Sequence, residues 1–166
     1  MITNELKHRN EKYRKQILNH LNGYPTGEKF LIAFLISRLE DFSPFNKYPY
    51  IFDFEYLPFP PYDNLGRGDL ILTSGRKYYL VVEAKYLSDE SGRTARKSRN
   101  SDRQLVEFQA VKYGVIFLRQ NPNFVVNYTT LTNDRSWRNE HPNFCREFLK
   151  FQNKKKKEYD SKNNSI

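Results

Sequence analysis

A single cysteine, a single methionine and a single tryptophan are spread over 166 residues, and no apolar stretch runs long. The lone Cys145 cannot close an intramolecular disulfide, which excludes a stapled secreted scaffold and fits a reducing compartment. His8, His20 and His141 are too scattered for metal-ligand spacing and are assigned no role. No segment approaches the ~20 apolar residues of a membrane span, and Met1–Gln16 is too polar for a secretory signal. The expectation is an intracellular protein, cytoplasmic or nuclear, that does not enter a membrane. No Gly-rich nucleotide loop and no serine or cysteine nucleophile system can be read. Acidic residues are also in deficit, with 19 Asp and Glu against 28 Lys and Arg and a formal charge of +9.

That excess of cations favours a polyanionic partner, because each neutralised phosphate releases counterions. Nucleic acid is the leading candidate, with an acidic membrane surface as the competitor. The 13 Phe and 12 Tyr sit mostly in apolar or strand-like runs, so the majority are expected to build a core. The length suits one domain that needs no disulfide or structural metal.

Residues 4–21 form a basic amphipathic helix in this reading, broken at Gly23-Tyr-Pro-Thr-Gly27. Residues 28–41 follow as a helix apolar nearly all round, suited to burial, and Ser43-Pro44 ends it. A strand is expected over Tyr50–Leu57 and a proline-stiffened loop over Pro58–Asn64. Asp69–Thr73 and Lys77–Tyr86 read as a hairpin about Ser74-Gly75-Arg76. A basic loop, Ser88–Asp102, then leads to a helix from Arg103 to Tyr113, stopped by Gly114. Short strands at Val115–Leu118 and Asn123–Leu131 and a helix over 142–157 complete the chain. The expected organisation is one domain over 1–157: a basic helix in 1–22, a core in 28–131, and the C-terminal helix. Residues 158–166 are expected to form a disordered tail. This order of elements suits an α/β sandwich with a mixed central sheet flanked by helices. Trp137 is expected to pack against the domain, and Lys154–Lys157 to end a helix in solvent, to grip nucleic acid or to act as a nuclear import signal.

The chemistry concentrates between Leu65 and Leu87. Asp69 opens one hairpin strand, while Glu83 and Lys85, two residues apart, leave the same face of the other. Two acids and an amine on an otherwise apolar β-unit are costly unless paired or bound to an ion. Asp69 and Glu83 offer the oxygen ligands that Mg²⁺ or Mn²⁺ prefers, with water and a substrate phosphate completing the shell. Lys85 is placed to steady an attacking water and the phosphate oxygens. The plainer alternative is a turn-capping Asp69 beside an ordinary Glu83–Lys85 pair.

An acid at the start of one hairpin strand followed by acid-x-Lys on the next resembles the signature of PD-(D/E)XK, or restriction-endonuclease-like, nucleases. Gly68 stands where many members of that superfamily carry proline. The resemblance implies a restriction-endonuclease-like core, divalent-metal-dependent hydrolysis of phosphodiesters, and the Ala84 carbonyl as a further metal ligand. Gln109-Ala-Val-Lys-Tyr113 is similar to the Gln-x-x-x-Tyr element of RecB-like members, in which both residues face the site and help place the nucleic acid. On the expected helix, Gln109 lies in the middle of an apolar face made by Leu105, Val106, Ala110 and Tyr113. Gly27–Leu39 looks similar to the first core helix of archaeal junction resolvases, which implies that Glu28 reaches the metal site; an acid in a first helical turn also suits the helix dipole.

Arg93, Arg96, Lys97, Arg99 and Arg103 are expected to hold phosphates flanking the scissile bond, with Arg67 and Lys77 extending the surface. The resulting expectation is a Mg²⁺- or Mn²⁺-dependent nuclease acting on DNA in preference to RNA. Two other readings stay open: a non-catalytic nucleic-acid-binding module of the same fold, and a basic subunit of a larger nucleic-acid-processing assembly. A homodimer follows only by analogy, because a small nuclease that cuts both strands needs two sites.

Overall fold

Helix α1 (Asn4–Leu18) starts where the Thr3 hydroxyl accepts the N–H of Leu6, and a 3-10 turn (Asn19–Asn22) continues it. Helix α2 (Glu28–Ser37) is apolar around most of its circumference, and Phe30–Ile36 are all buried. Strands β1 (Tyr50–Phe54), β2 (Leu70–Thr73) and β3 (Tyr78–Lys85) pair antiparallel in chain order. Helix α3 (Arg93–Gln120) crosses over so that β4 (Val125–Thr132) runs parallel to β3 as the outer strand. Helix α4 (Pro142–Asn163) closes the chain. The computed structural model describes residues 2–58, 60, 66–136 and 138–163. The architecture is therefore α/β, a four-stranded mixed sheet flanked by helices.

Two cores hold the layers together. On one sheet face α2 meets α1, α4 and the inward side chains of β1–β4, among them Ile51, Leu72, Leu80, Val82 and Leu131. Phe144 and Phe148 of α4, four apart, pack tilted and edge-on against Phe34 of α2, both at 5.6 Å between ring centres. On the other face Val106, Ala110, Tyr113 and Phe117 of α3 cover the sheet, with Tyr113 and Phe117 against Ile71, Tyr79 and Val81. Alternation along β3 assigns the two faces: Leu80, Val82 and Ala84 go to the first core, Tyr79 and Val81 to the second.

The largest departure from the sequence reading is α3. The basic loop expected over Ser88–Asp102, the helix expected to stop at Gly114 and the strand expected at Val115–Leu118 are mostly one 28-residue helix. Only Ser88–Gly92 remains a loop. Gly114 does not cap the helix; it makes room. A Cβ there would lie 2.9 Å from Cδ1 of Tyr128 on β4, so the missing side chain lets helix and strand approach. Phe117 then packs against the stacked pair Tyr79 and Phe124, which holds the helix past the glycine.

Helix α4 also outruns its expected end at residue 157, because Tyr159 packs edge-on to Tyr24 at 5.2 Å and Lys155 pairs with Glu158. Lys154–Lys157 lie on this helix, so their run is part of a solvated helix surface. Trp137 and most of the Pro58–Asn64 loop lie outside the described residues. Among the described residues no helix is long and apolar enough to cross a membrane.

Candidate active site

The β2–β3 register sets Leu70 opposite Val82. Asp69 and Glu83 therefore meet one step further along, at the hairpin end away from the turn. The two acids are bonded reciprocally through the backbone. Glu83 Oε1 accepts the Asp69 N–H at 3.2 Å, and Asp69 Oδ2 accepts the Ala84 N–H at 2.7 Å. The Tyr56 hydroxyl donates a further bond to Glu83 Oε1 at 3.0 Å. Each carboxylate thus has one oxygen anchored and one without a donor among the described residues.

This placement is electrostatically costly. Glu83 is 2% exposed. Burial first, and then the charge of Asp69, push its carboxyl up to about 8 against the two hydrogen bonds that oppose the rise. Asp69 is pushed up to about 6, again chiefly by burial; the Ala84 N–H opposes, and the charges of Glu28 and Glu55 add to the rise. Among the described residues no lysine or arginine lies within ion-pair distance of either acid. Tyr56 and Tyr113 are raised as well, burial leading and the Glu83 charge following.

Lys85 lies beside the pair but is held from the opposite side. Its Nζ is 3.0 Å from Oε1 of Glu28 at the start of α2, and that bond raises the ammonium above its ordinary value. Glu28 therefore reaches Lys85, and its charge is felt at both Asp69 and Glu83. Tyr113 is buried, edge-on to Tyr56 at 6.2 Å between ring centres. Gln109, one turn earlier on α3, is half-buried, and its amide takes no hydrogen-bond partner among the described residues. The face drawn around it from sequence is only partly apolar core: Val106, Ala110 and Tyr113 point inward, while Leu105 is half-exposed.

The expected cations divide. Arg93, Arg96 and Lys97 are exposed on the first turns of α3, and Arg67 is exposed next to Gly68. Arg103 instead forms a two-pronged bond to Asp134, and Arg99 donates to the carbonyls of Ser88 and Glu90. These two therefore brace the Ser88–Gly92 loop and the segment after β4. A cleft of about 330 Å³ opens between them, lined by Ser88, Glu90, Arg99, Arg103, Asp134 and Arg135. Lys77 sits at the hairpin turn, six residues from Glu83 and so ~20 Å away along the strand; it does not extend the site.

Tyr56 is the participant that sequence reasoning missed. A Cβ on Gly68 would lie 2.0 Å from its Cζ, so the ring occupies the volume that any side chain at 68 would need. Gly68 also donates its N–H to the Tyr56 carbonyl at 2.9 Å. A proline at 68 would clash with the ring and lose that bond. Glu55, paired with Lys29 at 2.6 Å, is a second neighbour that sequence reasoning passed over.

The chain matches no family model, no curated protein and no solved structure.

Among the described residues, no three of His, Cys, Asp and Glu converge into a closed metal cage. The donor set still fits a hard divalent cation of the kind held by one or two carboxylates, water and a substrate phosphate. A buried Glu83 and a half-buried Asp69, both with raised pKa values and each with one oxygen that has no donor among the described residues, are stabilised by a proton or by such a cation. The buried His141 is bonded to Thr129 at 2.7 Å and held below its ordinary pKa by burial, and Cys145 is a buried thiol pushed up to about 11, so neither is a rival centre.

Proposed function

We propose that this chain is a Mg²⁺- or Mn²⁺-dependent nuclease with a restriction-endonuclease-like core of the PD-(D/E)XK kind, hydrolysing phosphodiester bonds in nucleic acid, DNA in preference to RNA. The observation that carries this reading is the Asp69–Glu83 pair, buried at Glu83 and half-buried at Asp69, reciprocally anchored, and with no lysine or arginine in ion-pair distance among the described residues. A binding-only module has no use for such a pair, which makes the non-catalytic alternative the weaker one.

In this reading the unanchored oxygens of Asp69 and Glu83 hold the ion, with the Ala84 carbonyl available beside them. When bound, such an ion offsets charge on the phosphate and acidifies its water. Lys85, kept protonated by Glu28, does not act as a base. It presents a fixed positive charge to the attacking water and to the phosphate oxygens, where charge grows in the transition state. Glu28 is a positioning residue that aims the ammonium. Gln109 offers the strand an amide that has no partner among the described residues, and Tyr113 closes the apolar side of the site. Arg67, Arg93, Arg96 and Lys97 hold flanking phosphates without reading sequence.

The test is incubation of the purified chain with labelled single-stranded, duplex and branched DNA and RNA, in Mg²⁺, Mn²⁺ or EDTA, beside Asp69→Ala. Cleavage that requires the metal and vanishes in the variant is the expected result. Tight, salt-sensitive binding with no cleavage of any substrate would overturn the reading in favour of a binding module.

A further inference from the structure

The second half of α3 carries an apolar stripe that the fold does not cover. Phe108, Val111, Val115 and Leu118 are between 39% (Val115) and 63% (Phe108) exposed, Leu105 is 50% exposed on one flank, and Tyr128 of β4 is 50% exposed on the other. Tyr128 lies against Gly114, so the strand residue and the helix stripe form one surface. Five cations of α3, Arg93, Arg96, Lys97, Arg99 and Arg103, lie in its first turns, away from the stripe, and Lys112 and Arg119 border it.

We propose that the stripe is the interface for a second copy of this chain, packed antiparallel about a two-fold axis at the level of residue 113. Three features of the surface select that occupant. The first is spacing: the residues at 108, 111, 115 and 118 follow steps of three, four and three, the repeat of a helix–helix seam. Those steps read the same in both directions. A two-fold axis at 113 therefore sets Phe108 opposite Leu118 of the second copy and Val111 opposite its Val115, as an isologous contact requires.

The second feature is the sheet edge. α3 packs across β3 and β4, and β4 is the outer strand. With strands ~4.8 Å apart, an axis just outside β4 brings α3 and its copy to about 10 Å, an ordinary distance for packed helices. The third is area. At ~200 Å² for a whole aromatic side chain and less for an aliphatic one, these exposures amount to roughly 500 Å² per chain, at the upper end of what a monomer leaves uncovered. Rim groups such as Gln104, Glu107 and Arg119 bring the total towards the ~800 Å² per partner of a stable interface.

This proposal is independent of the chemistry at Asp69 and Glu83, and its test measures mass and not activity. Sedimentation velocity of the full chain in EDTA, over a hundredfold range of concentration, should show a species of twice 19.9 kDa. Phe108→Glu combined with Val115→Lys, both at exposed positions, should sediment as the monomer with an unchanged circular dichroism spectrum. An oxidised mixture of Val111→Cys and Val115→Cys chains should cross-link faster than either alone, because the antiparallel register brings 111 to 115. A wild type that stays monomeric throughout would mean that another protein covers the stripe, and would overturn the proposal. A dimer that survives the double substitution, or Val111→Cys alone cross-linking as fast as the mixture, would overturn it equally.

Discussion

Replacing Glu83 by glutamine removes the charge from the buried pair while leaving its shape. Glutamine retains an Oε1 able to accept the bonds from the Tyr56 hydroxyl and the Asp69 N–H. In the metal-free protein, burial and then the Asp69 charge carry the Glu83 carboxyl from 4.5 up to about 8. Between those two values the folded state holds a proton that the unfolded chain has released. The associated stability is fully present below 4.5 and is lost as pH rises through about 8. At ~1.4 kcal/mol per pH unit the loss reaches about 5 kcal/mol, a large part of a small domain's total. Asp69, carried from 3.8 up to about 6, adds to the decline at its lower end. Glu83→Gln retains only the Asp69 part. Urea unfolding in EDTA, followed by circular dichroism from pH 5 to pH 8, should find the variant more stable than wild type at pH 8 and much less sensitive to pH. Added Mn²⁺ should then stabilise the wild type at pH 8 and not the variant. If the two proteins show the same pH dependence in EDTA, the pair is not a buried, uncompensated charge and has no electrostatic need of a metal ion.

Four further outcomes follow from the same geometry. Lys85→Ala should lower single-turnover cleavage by at least ~100-fold while leaving nucleic-acid affinity nearly intact; retained cleavage in a contaminant-free preparation would remove Lys85 from the site. Tyr56→Phe should fold normally yet weaken Mn²⁺ binding by ~10-fold in calorimetry, since it frees one anchor of Glu83, whereas Gly68→Ala should destabilise the fold by about 3 kcal/mol through its clash with the Tyr56 ring. Arg103→Met should lower the unfolding free energy by about 2–3 kcal/mol, because the buried Asp134 then loses its charged partner; a loss of nucleic-acid binding at unchanged stability would contradict the structural role given to Arg103.

The hairpin and its acids could be read from the sequence because their signal is local. Alternation over Asp69–Thr73 and Lys77–Tyr86 sets the faces, and the turn between them sets the register. α3 could not be read in the same way. Its first turns, Arg93–Arg103, carry almost no apolar periodicity, and Gly114 looks like a stop signal until Tyr128, fourteen residues on, is seen against it. The roles of Tyr56 and Arg103 are non-local for the same reason. Their partners Glu83 and Asp134 are 27 and 31 residues away, and no spacing rule connects them. The position of Lys85 two residues after Glu83 marks it as a catalytic candidate, but its ion pair with Glu28 depends on how α2 meets the end of β3.

The contact between Tyr56 and Gly68 constrains how this chain can vary. Enlarging residue 68 alone drives a side chain into the tyrosine ring. Shrinking residue 56 alone opens a void beside a buried carboxylate and releases its oxygen. Either single change is harmful, and only a concerted exchange, a smaller residue at 56 with a larger one at 68, would refill the space. The two positions, twelve residues apart, are therefore expected to change together along any lineage that keeps the site working.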